Sequence, residues 1–559
     1  MCYHFFSKMG TNQLIIQELI KNGVKTSADL ALVKRKIAKK YKIPCPGNIA
    51  LLKAYHKLIR NKRGKSLKKI ENGALAKSRT QLAVVRDLLK TRPIRSLSGI
   101  VNISVLTKPY PCPGKCLYCP IENGIPKSYV SGEPAVERAK RLKFNPYLQV
   151  KKRIEMLESE GHPTDKIELR IVGGTWSYYP KKYQTWFITR CFAACNAKRT
   201  RKRNAKLTRK IKSLKEKQQL NEGAKHRIVG LSVETRPDFI NPSEIKRLRE
   251  LGVTMVELGV QSIYDNVLKL NLRGHGIKET ILATKLLKDA GFKVLYQMMP
   301  NLPGSDFKRD EKMFEELFQN PDFQPDFLKI YPCALLKEAP LYKWWKEGKY
   351  KPYSEKQLIN LIKSIKKRIP YYVRIQRITR DIPSQRVVEG GAKISNLRQI
   401  LAKESKNEGW KCKCIRCREV RENYDPKEKI YLFRQDYDAS DGREIFLSYE
   451  NRKREKLYSL LRLRVPQQDE NISRPVFPVL KNAAIIREVH TYGELVPISE
   501  IKMAPQHRGL GKKLIEEAEK IAKNEFGLSK VAVIAGVGTR RYFRKLGYNL
   551  RDTYMVKEI

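Results

Sequence analysis

Short β-branched runs alternate with amphipathic stretches of helical period through the middle of the chain. The runs are Ile100–Leu106, Ile167–Val172, Ile228–Val233, Met255–Val260, Val294–Met298, Phe327–Tyr331 and Tyr372–Ile375. This rhythm predicts βα units on a parallel sheet, closed into a full or partial barrel, with the chemistry on loops after the C-terminal strand ends. From Asn12 to about Arg95 the period is helical instead. Beyond Lys429 a second α/β pattern begins, with strands expected at Leu457–Val465, Ala483–Val489 and Lys530–Ile534 and helices at Gly509–Phe526 and Thr539–Leu546. No internal repeat is visible. The fold class expected is therefore α/β, in four parts: helices over 1–95, the barrel over 96–400, a cysteine-bearing linker over 401–428 and the second α/β domain over 429–559. A length of 559 residues suits such a division.

Charge adds a partner. Lys and Arg number 114 against 57 Asp and Glu, a net charge of +57, so the surface should draw polyanions by counterion release. Basic runs recur at Lys34, Arg35, Lys36, Lys39 and Lys40 and at Arg60, Lys62, Arg63, Lys65, Lys68 and Lys69 without balancing acids. One run alone would be a solvated helix face; repeated runs favour a phosphate-binding surface. Lys198–Lys217, dense in Lys and Arg, breaks the barrel rhythm and reads as an exposed insertion. No apolar run approaches the roughly 20 residues of a membrane span, and Met1–Lys8 lacks a signal-peptide core, so a cytoplasmic chain is expected.

Six of the 11 cysteines fall in two tight groups, which in a reducing compartment read as metal sites. Cys112, Cys116 and Cys119 stand as C-x3-C-x2-C on a Pro/Gly-rich loop after the first strand. Three thiolates there can hold three irons of a [4Fe–4S] cluster and leave the fourth open to S-adenosylmethionine. Zinc is the plainer alternative, but no fourth ligand stands nearby. Gly173, Gly174 and Thr175 follow the second strand, Glu234 and Arg236 end the third, and Glu257 and Gln261 flank the fourth. These places suit the amino group, carboxylate and ribose of that cofactor, or simply satisfied polar core residues. Cys412, Cys414 and Cys417, set among Lys413, Arg416, Arg418 and Arg421, can share one tetrahedral zinc. Gln506, His507, Arg508, Gly509, Leu510, Gly511 and Lys512 form Q-x-x-G-x-G opening a helix, where backbone N–H groups can cradle a pyrophosphate.

Motifs longer than chance allows now come together: KPYPCPGKCLYCP (Lys108–Pro120), GHPTDKIELRIVGGT (Gly161–Thr175), GLSVETRPD (Gly230–Asp238), VELGVQS (Val256–Ser262) and RGH (Arg273–His275). From about Pro93 to the C-terminus the chain resembles the catalytic subunit of the Elongator complex and its stand-alone archaeal and bacterial forms. FRKLGY (Phe543–Tyr548) is similar to the closing motif of Gcn5-related acetyltransferases, and REVHTYG (Arg487–Gly493) to the Elongator form of the preceding strand. The resemblance implies a partial radical S-adenosylmethionine barrel, a zinc linker and an acetyl-CoA-binding acetyltransferase fold. It also implies a tRNA-binding N-terminal region, with Lys36, Lys39, Lys40, Arg60, Arg63 and Lys65 as candidate contacts. Candidate acetyl-CoA residues are Lys166, Glu488, Val489, His490, Gln506, Gly509, Leu510, Gly511, Lys512, Lys513, Tyr542 and Phe543. Lys166 matches a family lysine associated with acetyl-CoA, and with Tyr542 it is a candidate catalytic residue. The implied activity is carboxymethylation of the tRNA wobble uridine at the anticodon stem-loop, with an external electron donor. A protein lysine acetyltransferase with a structural iron–sulfur cluster is the alternative. Monomer and homodimer both remain open.

Two departures stand out. Cys119 is followed by Pro120, Ile121 and Glu122 where the family usually has Cys-Pro-Gly-Gly. The residue before Arg544 is Phe543, not the Tyr whose phenol commonly protonates the departing thiolate, and Tyr542 serves only if the backbone turns it inward. If the basic runs bind RNA, replacing three or four of Lys36, Lys39, Lys40, Arg60, Arg63 and Lys65 by Ala should raise the tRNA dissociation constant. It should also flatten its salt dependence, each lost phosphate contact removing a slope of roughly 0.9. Binding isotherms across a salt series check this, and unchanged slopes would assign those runs to solvent.

Overall fold

Seven runs of the first half become strands β1 (Val101–Leu106), β2 (Lys166–Val172), β3 (Arg227–Thr235), β4 (Met255–Gln261), β5 (Lys293–Met298), β6 (Phe327–Ile330) and β7 (Arg374–Ile378). They are hydrogen-bonded in chain order with every pair parallel, and β1 and β7 stay at opposite edges, giving an open half-barrel. The central strand β4 is buried at every position, as a parallel strand covered on both faces must be. The connecting helices carry their own punctuation. In Pro242–Leu251, the Asn241 side chain accepts from the Glu244 N–H, Pro242 opens the first turn, and Gly252 ends the helix at φ 87°. Its buried face is Ile245, Leu248 and Leu251.

This computed structural model describes residues 11–65, 74–91, 95–197, 213–394, 396–421, 425, 427–467, 475–493 and 509–559. The chain divides into two units, Met1–Leu97 with Lys152–Thr164, and Ser98–Lys151 with Asp165–Ile559. In the first, the helices Thr11–Lys21, Ser27–Lys40, Asn48–Lys65 and Ala74–Leu89 enclose a core of Ile15, Ile16, Leu19, Leu51, Leu52 and Leu89. A capping box between Thr26 and Asp29 starts the second of these helices.

The second unit holds, besides the half-barrel, a second sheet. Its strands are β8 (Ile430–Asp438), β9 (Gly442–Asn451), β10 (Leu457–Pro466), β11 (Ala483–Thr491), β12 (Lys530–Val533), β13 (Asn549–Arg551) and β14 (Tyr554–Glu558), ordered β13-β14-β12-β11-β10-β9-β8. Only β11 and β12 pair in parallel. One face is apolar: the helix Leu510–Asn524 lays Leu514, Ile515, Ala518, Ile521 and Ala522 on Ile445, Leu461, Ile486 and Val531. β8, β9, β13 and β14 were not among the expected strands.

The other face is charged, and it closes the N-terminal ends of the half-barrel strands. Asp326, just before β6, is fully buried and accepts from Arg487 Nη1 at 3.0 Å and from the Val294 N–H at 2.8 Å, with Arg462 Nη1 at 3.5 Å. Arg487 also donates to the Phe292 carbonyl and to Glu444, each at 2.8 Å, and Arg464 spans Glu444 at 3.1 Å and Asp289 at 2.6 Å. Tyr554 donates to the Ala290 carbonyl at 2.8 Å. Gly536 lies so close to β3 that a Cβ there would meet the Val229 carbonyl oxygen at 2.1 Å.

Removing Asp326 would leave Arg462 and Arg487 buried and under-compensated, so Asp326→Ala should cost about 3–5 kcal/mol, read as a lower denaturant midpoint. Burial alone would raise the Asp326 carboxyl, but Arg487, Arg462 and Lys288 outweigh it and hold the group below its ordinary value. A depressed folded-state pKa means stability present above the unfolded value of about 3.9 and lost as pH falls below that value through the lower folded-state one. The parent's midpoint should therefore drop there more than that of Asp326→Asn; parallel pH curves would exclude the carboxylate.

Candidate active site

The first cysteine loop leaves β1 at its C-terminal end and is tied down at both flanks. The Leu117 N–H donates to the Asn271 carbonyl at 3.2 Å, and the Leu341 N–H to the Leu117 carbonyl at 2.8 Å. Cys116 and Cys119 are buried and Cys112 half-buried. Gly114 sits where a Cβ would come within 2.7 Å of Arg236 Nη1, so a side chain there would have to displace that guanidinium. Arg273, of the RGH motif, donates from Nη1 to Cys116 Sγ at 3.3 Å, and its other nitrogens reach the Gly259 carbonyl and His275. Burial, with Cys116 beside it, pushes the Cys119 thiol up to about 12, so a metal binding there must displace its proton.

The second triad is compact. The Sγ atoms of Cys412, Cys414 and Cys417 all lie within 4.8 Å of one another, and no fourth His, Cys, Asp or Glu joins them among the described residues. Tetrahedral zinc at about 2.3 Å from each sulfur needs sulfurs only about 3.8 Å apart, so this group fits a single ion. Lys366 Nζ lies 3.5 Å from Cys417 Sγ, where a cation offsets thiolate charge. In the first triad, a Cβ on Gly114 would meet Cys116 Sγ at 3.4 Å and Cys112 Sγ at 3.7 Å, so these two sulfurs face the same side of the loop.

Beside the first triad, Gly173 and Gly174 adopt φ 133° and 98°. A Cβ on Gly173 would lie 2.0 Å from Thr107 Oγ1, so this turn admits no other residue. Thr175 Oγ1 is 3.9 Å from Cys112 Sγ. Gln261 ends β4 at φ 72°, an uncommon conformation for a side-chain-bearing residue. Glu234 faces the interior, accepting from Tyr129 at 3.0 Å, Gln297 at 3.2 Å and Lys329 at 3.3 Å. Lys329 also pairs with the buried Glu257, and these carboxylates hold its ammonium above its ordinary value against the opposing effect of burial. The sequence pattern missed Tyr129, Gln297 and Lys329, because their polar character shows only once the interior-facing positions are known. Glu122, at the first departure, accepts from the Ser131 N–H at 2.9 Å and from Arg386 at 2.7 Å, clasping the cysteine loop to the segment after β7.

At the other end of the half-barrel, β11 pairs with β12 only from Ala483 to Ile486 and then parts from it. A bulge at Arg487 lets Arg487 and Glu488 both reach charged groups of the seam, Glu488 accepting from Arg462 at 2.8 Å. His490 likewise turns to the Ser98 carbonyl at 3.1 Å. Glu488 and His490 thus have their side chains engaged away from the gap and would offer it only backbone. Val489 faces the gap with Thr491. A Cβ on Gly511 would touch Thr491 Oγ1 at 3.4 Å, the Tyr542 hydroxyl at 3.6 Å and Val489 Cγ1 at 3.7 Å. Tyr542 is 44% exposed, with its hydroxyl on the Gly511 side and its phenol held above its ordinary value by partial desolvation and by Glu516, while Phe543 is the ring buried in the apolar core. Gly509 caps the helix at φ 69°, Leu510 belongs to the core, and Lys512 and Lys513 are exposed. Gln506 lies outside the described residues.

Lys166 opens β2, in register with Arg227, roughly 20 Å along the strand from Gly173. Burial lowers its ammonium pKa. A Cβ on Gly538 would meet Arg227 Cβ at 2.6 Å, so the loop before Tyr542 packs directly on Lys166's strand partner. Lys36, Lys39 and Lys40 are exposed on the helix Ser27–Lys40, and Arg60, Arg63 and Lys65 fall within the helix Asn48–Lys65. Most of the Lys198–Lys217 insertion, residues 198–212, lies outside the described residues. Among the described residues no helix is long and apolar enough to cross a membrane.

Residues 110–317 match the radical SAM superfamily and residues 325–407 the radical SAM C-terminal domain. The tRNA uridine(34) acetyltransferase of Methanocaldococcus infernus is 46% identical over 490 residues, 85% of this chain and 89% of that protein. Elongator complex protein 3 of Danio rerio is 39% identical over 493 residues, 84% of this chain and 86% of that one. The solved structure of the archaeal Methanocaldococcus infernus Elp3 with its N-terminus deleted superposes with a TM-score of 0.69 at 42% identity, covering 83% of this chain and 100% of that one. Identity of this order across both sheets, with the half-barrel and its cysteine loop in place, shows that the chain belongs to the family of tRNA uridine(34) acetyltransferases and Elongator complex protein 3.

Proposed function

We propose that this chain modifies the wobble uridine of tRNA, adding a carboxymethyl group at carbon 5 with acetyl-CoA as carbon source. The observation that carries the reading is the pairing of a three-cysteine loop on one end of the half-barrel with a parted β11/β12 pair on the other. A [4Fe–4S] cluster with S-adenosylmethionine, fed one electron by an external donor, supplies the radical chemistry needed to activate an otherwise inert carbon. Cys112, Cys116 and Cys119 would hold that cluster. The Gly173–Gly174 backbone, Thr175, Glu234 and Gln261 would orient the methionine and ribose groups. Lys329, between Glu234 and Glu257, keeps the interior charge-balanced where a charged cofactor enters. In the second sheet, Val489, Gly511 and Tyr542 would line the acyl gap, with the phenol of Tyr542 holding a proton for the departing thiol. Lys166 would meet the acyl group where β2 faces that sheet. Zinc at Cys412, Cys414 and Cys417 would brace the linker, and the basic N-terminal helices would hold the anticodon stem-loop.

The decisive experiment gives reconstituted protein [14C]acetyl-CoA, S-adenosylmethionine, reductant and tRNA. Label should enter RNA in the parent and vanish, together with S-adenosylmethionine cleavage, in Cys116→Ala. Label in protein alone would establish a lysine acetyltransferase instead. A finer outcome concerns Arg273, whose positive charge on a ligand sulfur favours the reduced, more negative cluster. Arg273→Gln should therefore lower the cluster's reduction potential in an EPR-monitored titration, and an unmoved potential would make the contact purely structural.

A further inference from the structure

Six aromatic rings run in contact along the half-barrel's C-terminal mouth. Their centroids are 5.6 Å apart from Trp186 to Tyr183, 5.2 Å from Tyr183 to Tyr179, 4.9 Å from Tyr179 to Tyr110, 5.9 Å from Tyr110 to Tyr178 and 6.0 Å from Tyr178 to Phe239. Packing accounts for the middle of the run: Tyr179 is 5% exposed and its hydroxyl donates to the Lys108 carbonyl at 2.8 Å. It does not account for Tyr178 and Trp186, which are 40% and 46% exposed. Of the two exposed rings, Tyr178 is the one linked to the cysteine loop. Its N–H donates to the Thr175 carbonyl at 3.1 Å, Thr175 touches Cys112, and Tyr110 precedes Cys112 by two residues.

The surroundings select the ligand. Lys108 places its ammonium 5.2 Å from the Tyr183 ring, and Lys181 and Lys182 are exposed at the start of the next helix. The nearby acids are engaged: Asp238 is held by both arms of Arg236 at 2.9 and 2.8 Å, and Glu244 is bonded to Ser177. An exposed ring with cations beside it is the arrangement that receives a nucleobase with its phosphates.

We propose that Tyr178, backed by Tyr110 and Phe239, is the stacking platform for an unpaired base next to the nucleotide being modified. The assignment rests on the RNA-modifying reading above and adds to it the contact that holds the loop open. Because neighbouring rings fix Tyr178 before RNA arrives, stacking costs little conformational entropy.

The test uses the full-length protein and an anticodon stem-loop carrying 2-aminopurine beside the target uridine. The parent should quench the fluorophore on binding. Tyr178→Ala should leave it bright and weaken binding by about five- to a hundred-fold, with the salt slope unchanged because no phosphate contact is lost. Tyr178→Leu keeps apolar packing without a π face and should behave like the Ala variant, whereas Tyr178→Phe and Tyr178→Trp should restore the quench. Parent-like quenching and affinity in both Tyr178→Ala and Tyr178→Leu would overturn this assignment alone. A parent that binds no RNA would overturn it together with the reading it rests on.

Discussion

Asp326 is fully buried and has two guanidinium neighbours. Desolvating a carboxylate costs several kcal/mol, and what offsets that cost is the simultaneous approach of Arg487 and Arg462 from the second sheet with the Val294 N–H from β5. The carboxylate comes from the turn into β6 and the guanidinium groups from β10 and β11, so each half satisfies the other's buried charge. Glu444, Arg464, Asp289, Glu488 and Lys288 extend the same arrangement, and the apolar helix Leu510–Asn524 is left to pack on the opposite face.

The rest of the architecture follows from where that seam lies. It covers the N-terminal ends of the parallel strands, so the C-terminal ends remain free for the cysteine loop, the Gly173–Gly174 turn and the aromatic run. The bulge at Arg487 serves both purposes at once. It aims two successive side chains at the seam, and past it β11 parts from β12 and turns Val489 toward the helix.

Much of this could be read from residue order. The half-barrel strands announced themselves because a parallel strand covered on both faces is apolar at nearly every position, as β4 is. β8 and β9 did not. β8 is an edge strand, mostly half-exposed, and β9 carries Glu444, which looks solvent-facing until Arg464 and Arg487 of the neighbouring strands are placed around it. Arg462 and Arg464 look the same until Asp326 and Asp289 of the half-barrel are known. The cysteine spacings pointed to two metal sites, and the sulfur positions of Cys412, Cys414 and Cys417 fit a single ion. Tyr542 and Phe543 were separable in principle by helical phase. In practice the helix Arg540–Arg544 is too short for a period to be read, so which ring turns inward is decided by tertiary packing.

Glycine contacts at the seam bear on how such a protein can change over evolutionary time. Gly536 and Gly538 bring the second half so near β3 that any side chain there would collide with main chain or with Arg227. Charges that match only each other add a second constraint, since an exchanged half would need every cation and carboxylate in the same place. Replacing either half by an unrelated one would therefore break both the close backbone contact and the charge pairing of the seam.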